Sequence, residues 1–370
     1  MRLPWKIETM LGYRPERVYK DIFEFERTGH KSLLSLRKID SARLFNLELP
    51  KYYNAALPER FHLNDFKAYP DVYLAELRKL KVGMVDFRVG LIAADNGLLL
   101  DLSPDHTKRK QHPFLSHKDC RAKKVLKGKS LVLAAPTGNG NYYHWMFHVI
   151  GRLSVLKALE MNIEAFDHIV VNKIYKDFQQ QSLVDFNFPI EKIVYLDNNE
   201  FIEIEHATVP SYLYFHPMVP HFLKKHYLKN VEKSPNSPSK IYISRRKSKL
   251  RKLRQEDKLV EFLTKKLNYV EVYLEDLTVH EQAKLLYNAE YVIALHGAGC
   301  ANFIYCRPGA RVMEVLQRNW MNVIYWIYAN FQNLEYSCYI TGITGEEIKN
   351  NVDYDVDLDD LKSFLIRNGF

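Results

Sequence analysis

Short β-branched runs alternate with amphipathic segments between residues 240 and 316. The runs at residues 241–243, 269–273 and 291–295 are typical of buried strands. The segments between them, residues 255–267 and 278–289, have the apolar spacing of helices with one buried face. This β-α-β-α-β order predicts a parallel sheet covered by helices.

Polar residues and glycines follow the first and the last of these predicted strands. The first run ends on Ser244 and Arg245, and the last continues into His296, Gly297, Ala298 and Gly299. In parallel α/β sheets ligands bind outside the carboxyl ends of the strands, so both loops are expected at one site. Glycines let backbone N–H groups approach an anion, and the N-terminus of a helix over residues 300–306 would attract that anion. Arg245 and Arg251 supply guanidinium groups that can bind it. The pattern predicts a diphosphate site; the alternative for the glycine turn alone is a tight turn with no ligand.

A second candidate site lies in the first half of the chain. Residues 131–135 form a predicted buried strand, and Asn141 can cap a helix that runs to about residue 160. Apolar residues cover most of this helix, yet Asn141, His144, His148 and Arg152 fall on one stripe. Because buried polar groups need partners, the stripe predicts a cleft. The alternative is that neighbouring backbone groups satisfy the histidines.

The remaining segments predict more alternating strands and helices. Strands are expected at residues 168–171, 192–196, 201–204, 207–209 and 334–340, and helices at residues 178–186, 220–232, 321–331 and 358–366. The aromatic residues at 212–215 either stack on a sugar or fill the core. The proline-containing polar stretch at residues 234–239 predicts a domain boundary. Asp353, Asp355 and Asp357 are interpreted as the capping region of the last helix rather than as metal ligands.

The N-terminal region predicts a surface helix and a small sheet. Residues 18–25 have helical spacing, and Trp5, Leu11, Tyr13, Phe23 and Phe25 among basic residues give a second interpretation, contact with an anionic membrane. Residues 71–102 contain short apolar runs with a turn at Asn96 and Gly97, which predicts a small antiparallel sheet.

Composition narrows the class of protein. With 370 residues, 47% hydrophobic and 26% charged, the chain resembles an ordinary globular protein of two domains. It contains no run of eighteen apolar residues, and the N-terminus lacks the apolar core of a signal peptide, so a cytoplasmic protein is expected. Four scattered cysteines indicate no disulfide framework. Part of the net charge of +9 lies in the basic run at residues 245–254. This run is interpreted either as a solvated face or as a surface for acidic partners.

Taken together, these motifs resemble glycosyltransferase family 61. The resemblance rests on the run Ile241–Arg245, then Arg251, Glu281, Gln282, the His296–Gly299 turn, Asn302, Pro308, Gly309 and Glu314. It covers roughly residues 131–316, and the combined order and spacing are more specific than any single motif. The family includes capsular-polysaccharide enzymes of bacteria, xylan-decorating enzymes of plants and O-linked N-acetylglucosaminyltransferases of animals. The absence of an apparent anchor favours a bacterial, cytoplasmic member, with peripheral contact at the inner face of the plasma membrane as a second interpretation.

The resemblance implies an architecture and a reaction. The implied fold is α/β of GT-B type, with two Rossmann-like domains facing each other across a cleft: residues 1–233 for the acceptor, residues 240–345 for the nucleotide sugar, and residues 346–370 packing back as a helix. The implied activity is inverting transfer of a hexosyl or pentosyl group from a nucleotide sugar, expected to be UDP-linked, to an oligosaccharide or glycolipid acceptor in surface polysaccharide synthesis. The implied donor-binding residues are Arg245, Arg251, Glu281, Gln282, His296, Gly297, Ala298, Gly299, Asn302 and Glu314.

The first-half motif implies the acceptor side of the site. The family pattern there is Asn-x-x-His-Trp, followed by an acidic residue and later by arginine, and this chain has Asn141, Trp145 and Arg152 as candidate acceptor-binding residues. His148 stands where the acidic residue usually lies, so His148 is the first candidate for the catalytic base and His144 the second. No cofactor and no metal are expected. The alternative function is a basic nucleotide- or nucleic-acid-binding protein without transferase activity, although no recognised nucleic-acid motif is present.

Overall fold

The computed structural model describes residues 15–41, 43–44, 46–62, 68–103, 112–117, 119–318, 321–341, 353 and 355–370. It divides into two compact units, one within residues 15–41 and 70–214 and the other within residues 43–69 and 215–370. Both units contain strands and helices, which confirms the mixed α/β class. The predicted domain ranges 1–233, 240–345 and 346–370 stay predictions.

The strands and helices have the following bounds. The strands are β1 (Arg17–Tyr19), β2 (Leu33–Asp40), β3 (Arg43–Leu44), β4 (Ala68–Tyr69), β5 (Val72–Val85), β6 (Arg88–Ile92), β7 (Gly97–Leu99), β8 (Lys124–Val132), β9 (His168–Asn172), β10 (Ile193–Leu196), β11 (Phe201–Pro210), β12 (Lys240–Ile243), β13 (Val270–Val272), β14 (Tyr291–Leu295), β15 (Arg311–Gln317) and β16 (Glu335–Thr341). The helices are α1 (Ile22–Glu26), α2 (Tyr142–His144), α3 (Leu153–Ala158), α4 (Asp177–Asp185), α5 (Met218–Tyr227), α6 (Glu256–Leu267), α7 (Val279–Asn288), α8 (Ile324–Phe331) and α9 (Leu358–Arg367). Short 3-10 helices include Glu59–Phe61, Pro113–Leu115, Ile163–Ala165, Ile190–Lys192, Leu274–Asp276 and Ala298–Tyr305.

The first unit is built on one mixed sheet in the order β1-β7-β6-β5-β11-β8-β9-β10, with β2 also paired to β5. Strands β11, β8, β9 and β10 are parallel, and β5 joins β11 in the antiparallel sense. Numbered by chain order, the four parallel strands lie as third, second, first and fourth, which is the order of the first four strands of a doubly wound sheet. The point where this order reverses lies between β8 and β11.

Two N-terminal predictions need correction. Strands β5, β6 and β7 are antiparallel as predicted, but they continue the large sheet instead of forming a small separate one, because β5 pairs with β11 along most of its length. Residues 18–25 do not form one helix. Val18 and Tyr19 belong to β1 and pair with Leu98 and Leu99 of β7, and the helix α1 begins after Asp21, whose side chain caps it.

The second unit contains a fully parallel sheet in the order β13-β12-β14-β15-β16. This confirms the β-α-β-α-β prediction, including both amphipathic helices, α6 and α7. Apolar residues of α6 and α9 pack with Tyr242, Ile293, Met313 and Tyr339 on one face of the sheet. Asp357 accepts backbone hydrogen bonds from Asp359 and Asp360, which confirms its capping role.

The open edge of β16 is covered by an N-terminal segment. Lys51 N–H donates to the carbonyl of Tyr336 (2.7 Å), and Cys338 N–H donates to the carbonyl of Tyr52 (3.0 Å). The side chain of Asn54 then accepts from Ile340 N–H (2.7 Å) and donates to the Ile340 carbonyl (3.1 Å). This segment therefore completes the sheet of the second unit, a long-range pairing that the sequence did not predict.

None of the described helices is both long enough and apolar enough to cross a bilayer. The predicted membrane-contacting residues Trp5, Leu11 and Tyr13 lie outside the described residues. Phe25 is fully buried in the core, and Phe23 packs edge-on against Tyr73 at 5.5 Å between ring centroids. Both rings pack within the first unit, where Phe25 is completely buried and Phe23 is partly buried.

Candidate functional site

Two loops of the second unit meet where its strand order reverses. Numbered by chain order, the strands lie as second, first, third, fourth and fifth, so the reversal falls between β12 and β14. Ser244 follows β12 directly and His296 follows β14 directly. The crevice outside such a reversal is the usual ligand site of an open parallel sheet. The structure thus brings together the two loops that the sequence predicted to form a site.

The Arg245 guanidinium is held by the loop that follows it. Its Nε donates to the Arg251 carbonyl (3.1 Å), and its Nη2 donates to the Ser248 hydroxyl (3.0 Å) and to the Leu250 carbonyl (2.9 Å). Arg251 itself adopts a left-handed backbone conformation (φ 57°), which turns the chain at this point. The loop folds around the guanidinium and fixes its orientation.

Gly297 lies directly against this guanidinium. A Cβ atom at position 297 would stand 1.9 Å from Nη1 of Arg245, far inside van der Waals contact. The backbone of Gly297 is extended (φ 172°), so the glycine is needed for space and not for an unusual conformation. Gly299 is also in a packed position, since a Cβ there would contact Ile243 at 3.3 Å. The predicted pairing of the arginine with the glycine turn is therefore seen directly.

A buried carboxylate, that of Glu256, accepts hydrogen bonds from residues at the start of the Arg245 loop. Oε1 of Glu256 accepts hydrogen bonds from the Tyr242 hydroxyl (2.9 Å), the Ser244 hydroxyl (2.8 Å) and Arg245 N–H (2.9 Å). Burial, together with this carboxylate, raises the pKa of Tyr242 well above its ordinary value, so Tyr242 stays a donor. Sequence reasoning missed Glu256; the available signal was an acid in the first turn of the helix after β12.

His296 is supported by a second buried carboxylate. Its Nδ1 is hydrogen-bonded to Oε1 of Glu314, and Oε2 of Glu314 accepts from the Tyr336 hydroxyl (2.6 Å). His296 is only 4% exposed and Glu314 is fully buried. Glu314 thus contacts His296, and its predicted role in donor binding stays a prediction; Tyr336 is a partner that sequence reasoning missed.

The positive charges of Arg245 and Arg251 act on Tyr325, which lies next to His296. Burial raises the pKa of Tyr325 well above its ordinary value, and the positive charges of the two arginines partly oppose that shift. The Tyr325 ring lies 5.4 Å from the His296 ring. The two arginines and His296 therefore share one local environment, at the start of the 3-10 helix Ala298–Tyr305.

The other predicted donor-binding residues make local contacts. Glu281 closes the capping box of α7 with Thr278, and Gln282 Nε2 donates to the carbonyls of Leu274 (2.8 Å) and Leu277 (3.0 Å). Asn302 is buried, and its Nδ2 donates to the Gly299 carbonyl at 3.2 Å. Ala298 is half-buried and begins the 3-10 helix. These contacts shape the loops, and a direct role in donor binding stays a prediction.

In the first unit a cluster of histidine and tyrosine side chains lies where its strand order reverses, at the carboxyl ends of β8 and β11. Asn141 caps the helical segment as predicted, accepting from His144 N–H (3.2 Å). The segment is not a regular α-helix: α2 continues as a π-helix over Trp145–Val149 and a 3-10 turn over Ile150–Arg152 before α3. Such π-bulges are frequent at functional sites.

The two histidines contact each other. Nδ1 of His144 lies 3.1 Å from Nδ1 of His148, and His148 also contacts the hydroxyls of Tyr212 (2.5 Å, at Nδ1) and Tyr143 (3.2 Å, at Nε2). The Tyr214 ring lies 5.4 Å from the His148 ring. His148 is completely buried, whereas His144 is half-buried. The aromatic residues at 212 and 214 thus belong to this cluster.

Arg152 and Trp145 are oriented toward the core. The guanidinium of Arg152 donates from Nε to the Pro210 carbonyl (3.1 Å) and from Nη1 to the Ala134 carbonyl (3.4 Å), joining the ends of β11 and β8. Burial lowers the pKa of Arg152 to about 10. Trp145 is fully buried, and its indole N–H donates to Ser182 (2.7 Å). These placements favour structural roles, and acceptor binding by either residue stays a prediction.

A comparison with protein families finds a match that spans most of the residues of these clusters. Residues 142–313 match the family model Glycosyltransferase 61. The glycosyltransferase 61 match includes His144, His148, Arg245 and His296, and it begins one residue after Asn141 and ends one residue before Glu314. It supports a transferase and gives no support to the nucleic-acid-binding alternative. No curated protein matches the chain.

Proposed function

We propose that this protein is an inverting glycosyltransferase of GT-B type that takes its sugar from a nucleotide sugar. The observation that carries the proposal is the packing of Arg245 against Gly297 at the strand reversal of the second unit. This places a fixed guanidinium beside a glycine turn, a combination suited to a diphosphate. The match to glycosyltransferase 61 supports the reaction class.

Charge stabilisation is the proposed contribution of the second unit. During transfer the bond from the sugar to the phosphate oxygen breaks, and its electron pair stays on the diphosphate. Arg245, Arg251 and His296 would stabilise that developing negative charge, which is usually the largest catalytic contribution. Because these groups are cationic or become so, the proposal requires no divalent metal.

Activation of the acceptor hydroxyl is the proposed contribution of the first unit. A general base must touch the proton that it removes, and His148 is completely buried. We therefore assign the base to His144, which is half-buried, and a positioning role to His148. Nδ1 of His144 faces Nδ1 of His148, so Nε2, on the other side of the His144 ring, is the atom that we assign to proton removal. The half-buried Tyr214 ring beside the histidines suits stacking on an acceptor sugar.

The donor is expected to be UDP-linked and the acceptor to be an oligosaccharide or glycolipid of a bacterial surface polysaccharide. These assignments extend the family resemblance and are tested by binding. Calorimetry with UDP, GDP and CMP should show saturable binding of one nucleotide to the native protein. Arg245→Ala should weaken that binding by about 1.5–3 kcal/mol, as loss of a charge-assisted contact does.

Arg254→Ala is the matched control for this experiment. Arg254 belongs to the same basic run, is exposed, and pairs with Asp355 at 3.8 Å. It should leave nucleotide binding unchanged, whereas a general polyanion surface would lose affinity equally in both variants. Equal losses, or no binding of any nucleotide, would refute the proposed function.

A further inference from the structure

A chain of hydrogen bonds crosses three neighbouring strands of the second unit and ends at the proposed diphosphate site. It runs from the Tyr336 hydroxyl on β16, through both oxygens of Glu314 on β15, to Nδ1 of His296 after β14. Since Nδ1 faces Glu314, Nε2 lies on the other side of the imidazole ring.

The position of Glu314 presents an electrostatic problem for an anion site. Glu314 is fully buried, so water does not screen its negative charge. A diphosphate bound at Arg245 and Gly297 would be repelled by this carboxylate unless a positive charge lay between them. The imidazole of His296 contacts the carboxylate directly, and it becomes that positive charge by gaining one proton.

We propose that His296 takes up a proton when a diphosphate binds, and that Glu314 and Tyr336 are positioning residues for the resulting imidazolium. In the complex Nδ1–H donates to Glu314 and Nε2–H donates to a phosphate oxygen, the added proton coming from solvent. During transfer the imidazolium stabilises the electron pair left on the diphosphate. This inference deepens the proposed function and rests on it.

Other groups around His296 do not compete for a proton near neutral pH. Tyr325 of α8 faces the ring at 5.4 Å, and burial raises its pKa well above the ordinary value, as it does for Cys300 and Tyr336. These three groups therefore stay protonated before and after binding. Arg245 and Arg251 are the charged groups of the facing loop. Proton uptake near neutral pH then reports on His296 and Glu314.

The test is calorimetric titration with UDP and GDP in buffers of different ionisation enthalpy. The difference in heat between buffers gives the number of protons gained on binding, and any contribution from the nucleotide itself is common to every protein variant. Native protein should gain more protons than Glu314→Gln, which keeps the shape of the side chain and removes its charge. The affinity of native protein for the nucleotide should fall as the pH rises from about 6 to about 9, because the imidazolium of the complex is lost.

Variants separate this role from a merely structural one. Glu314→Gln should lose most of the pH dependence of nucleotide binding, because without the carboxylate His296 does not gain its second proton in the complex. Tyr336→Phe should shift the pH profile in the same direction by a smaller amount. Tyr339→Phe is the matched control, since Tyr339 lies on the same strand and donates to Asp360 (2.7 Å) away from His296; its profile should match that of native protein.

Two outcomes count against the inference, and they are distinguishable. If neither nucleotide binds native protein, the proposed function fails and the inference fails with it. If a nucleotide binds native protein and Glu314→Gln with the same proton gain and the same pH profile, the inference alone is overturned.

Discussion

Nη1 of Arg245 occupies the space that a side chain at position 297 would need, because a Cβ there would lie only 1.9 Å away. The two residues come from loops more than fifty positions apart, after β12 and β14. Their contact couples the arginine loop to the glycine turn. Any side chain at position 297 must displace the guanidinium from its three hydrogen bonds.

Gly297→Ala should therefore reduce nucleotide affinity by about tenfold or more and destabilise the protein by about 1–3 kcal/mol, the usual cost of overpacking. In an Arg245→Ala background the added methyl group has room, so the same change should have little further effect. Calorimetry and thermal unfolding of the two single variants and the double variant measure this. Additive losses would show that Gly297 acts independently of Arg245.

Removing the proposed base should lower turnover strongly without loss of donor binding. His144→Ala is expected to lower kcat by about a hundredfold or more, as removal of a general base commonly does. His148→Asn keeps an acceptor near the position of Nδ1 and should retain more activity than His148→Leu, which keeps none. An active His144→Ala enzyme with an inactive, folded and donor-binding His148→Asn would return the role of base to His148.

Chelation should leave the transfer reaction unchanged. The proposed site stabilises the diphosphate with arginines and an imidazolium, so a divalent ion has no required position. Rates measured with and without a strong chelator, before and after addition of manganese or magnesium, test this. Activity that disappears with chelator and returns with metal would contradict the prediction.

Asp101 should make the first unit less stable as the pH rises. Burial raises its pKa to about 6, against the hydrogen bonds donated by Tyr73 and by Ile22 N–H (3.0 Å). A carboxyl with a raised pKa favours folding while it is protonated, so its contribution is complete below the unfolded pKa near 3.8 and is lost as the pH rises through about 6.

Asp101→Asn should remove this dependence of the free energy of unfolding on pH. Native protein should lose about 1–3 kcal/mol of stability relative to Asp101→Asn between about pH 4 and about pH 7. Denaturant unfolding across this range gives the comparison, and parallel stability curves for the two proteins would disprove the assignment.

Hydrophobic periodicity predicted most of the second unit because its strands and helices each bury one continuous apolar face. It also predicted that Arg245 and His296 would meet, since the carboxyl ends of parallel strands share one edge. Periodicity did not predict Glu256 or Tyr336 as site partners, because their roles depend on side-chain contacts across the sheet. The π-helix at Trp145–Val149 was missed because a uniform helical period was assumed, and with it the direct contact between His144 and His148.

The covering of β16 by residues 51–54 also has a consequence for biosynthesis. These residues leave the ribosome far earlier than the strand that they cover, so the second unit cannot be completed until nearly the whole chain has been made. Such distant pairing slows folding and leaves an exposed strand edge prone to aggregation in the meantime. Recombinant fragments that begin at residue 215 should therefore precipitate, and supplying residues 43–69 on the same polypeptide, joined by a flexible linker, should restore their solubility.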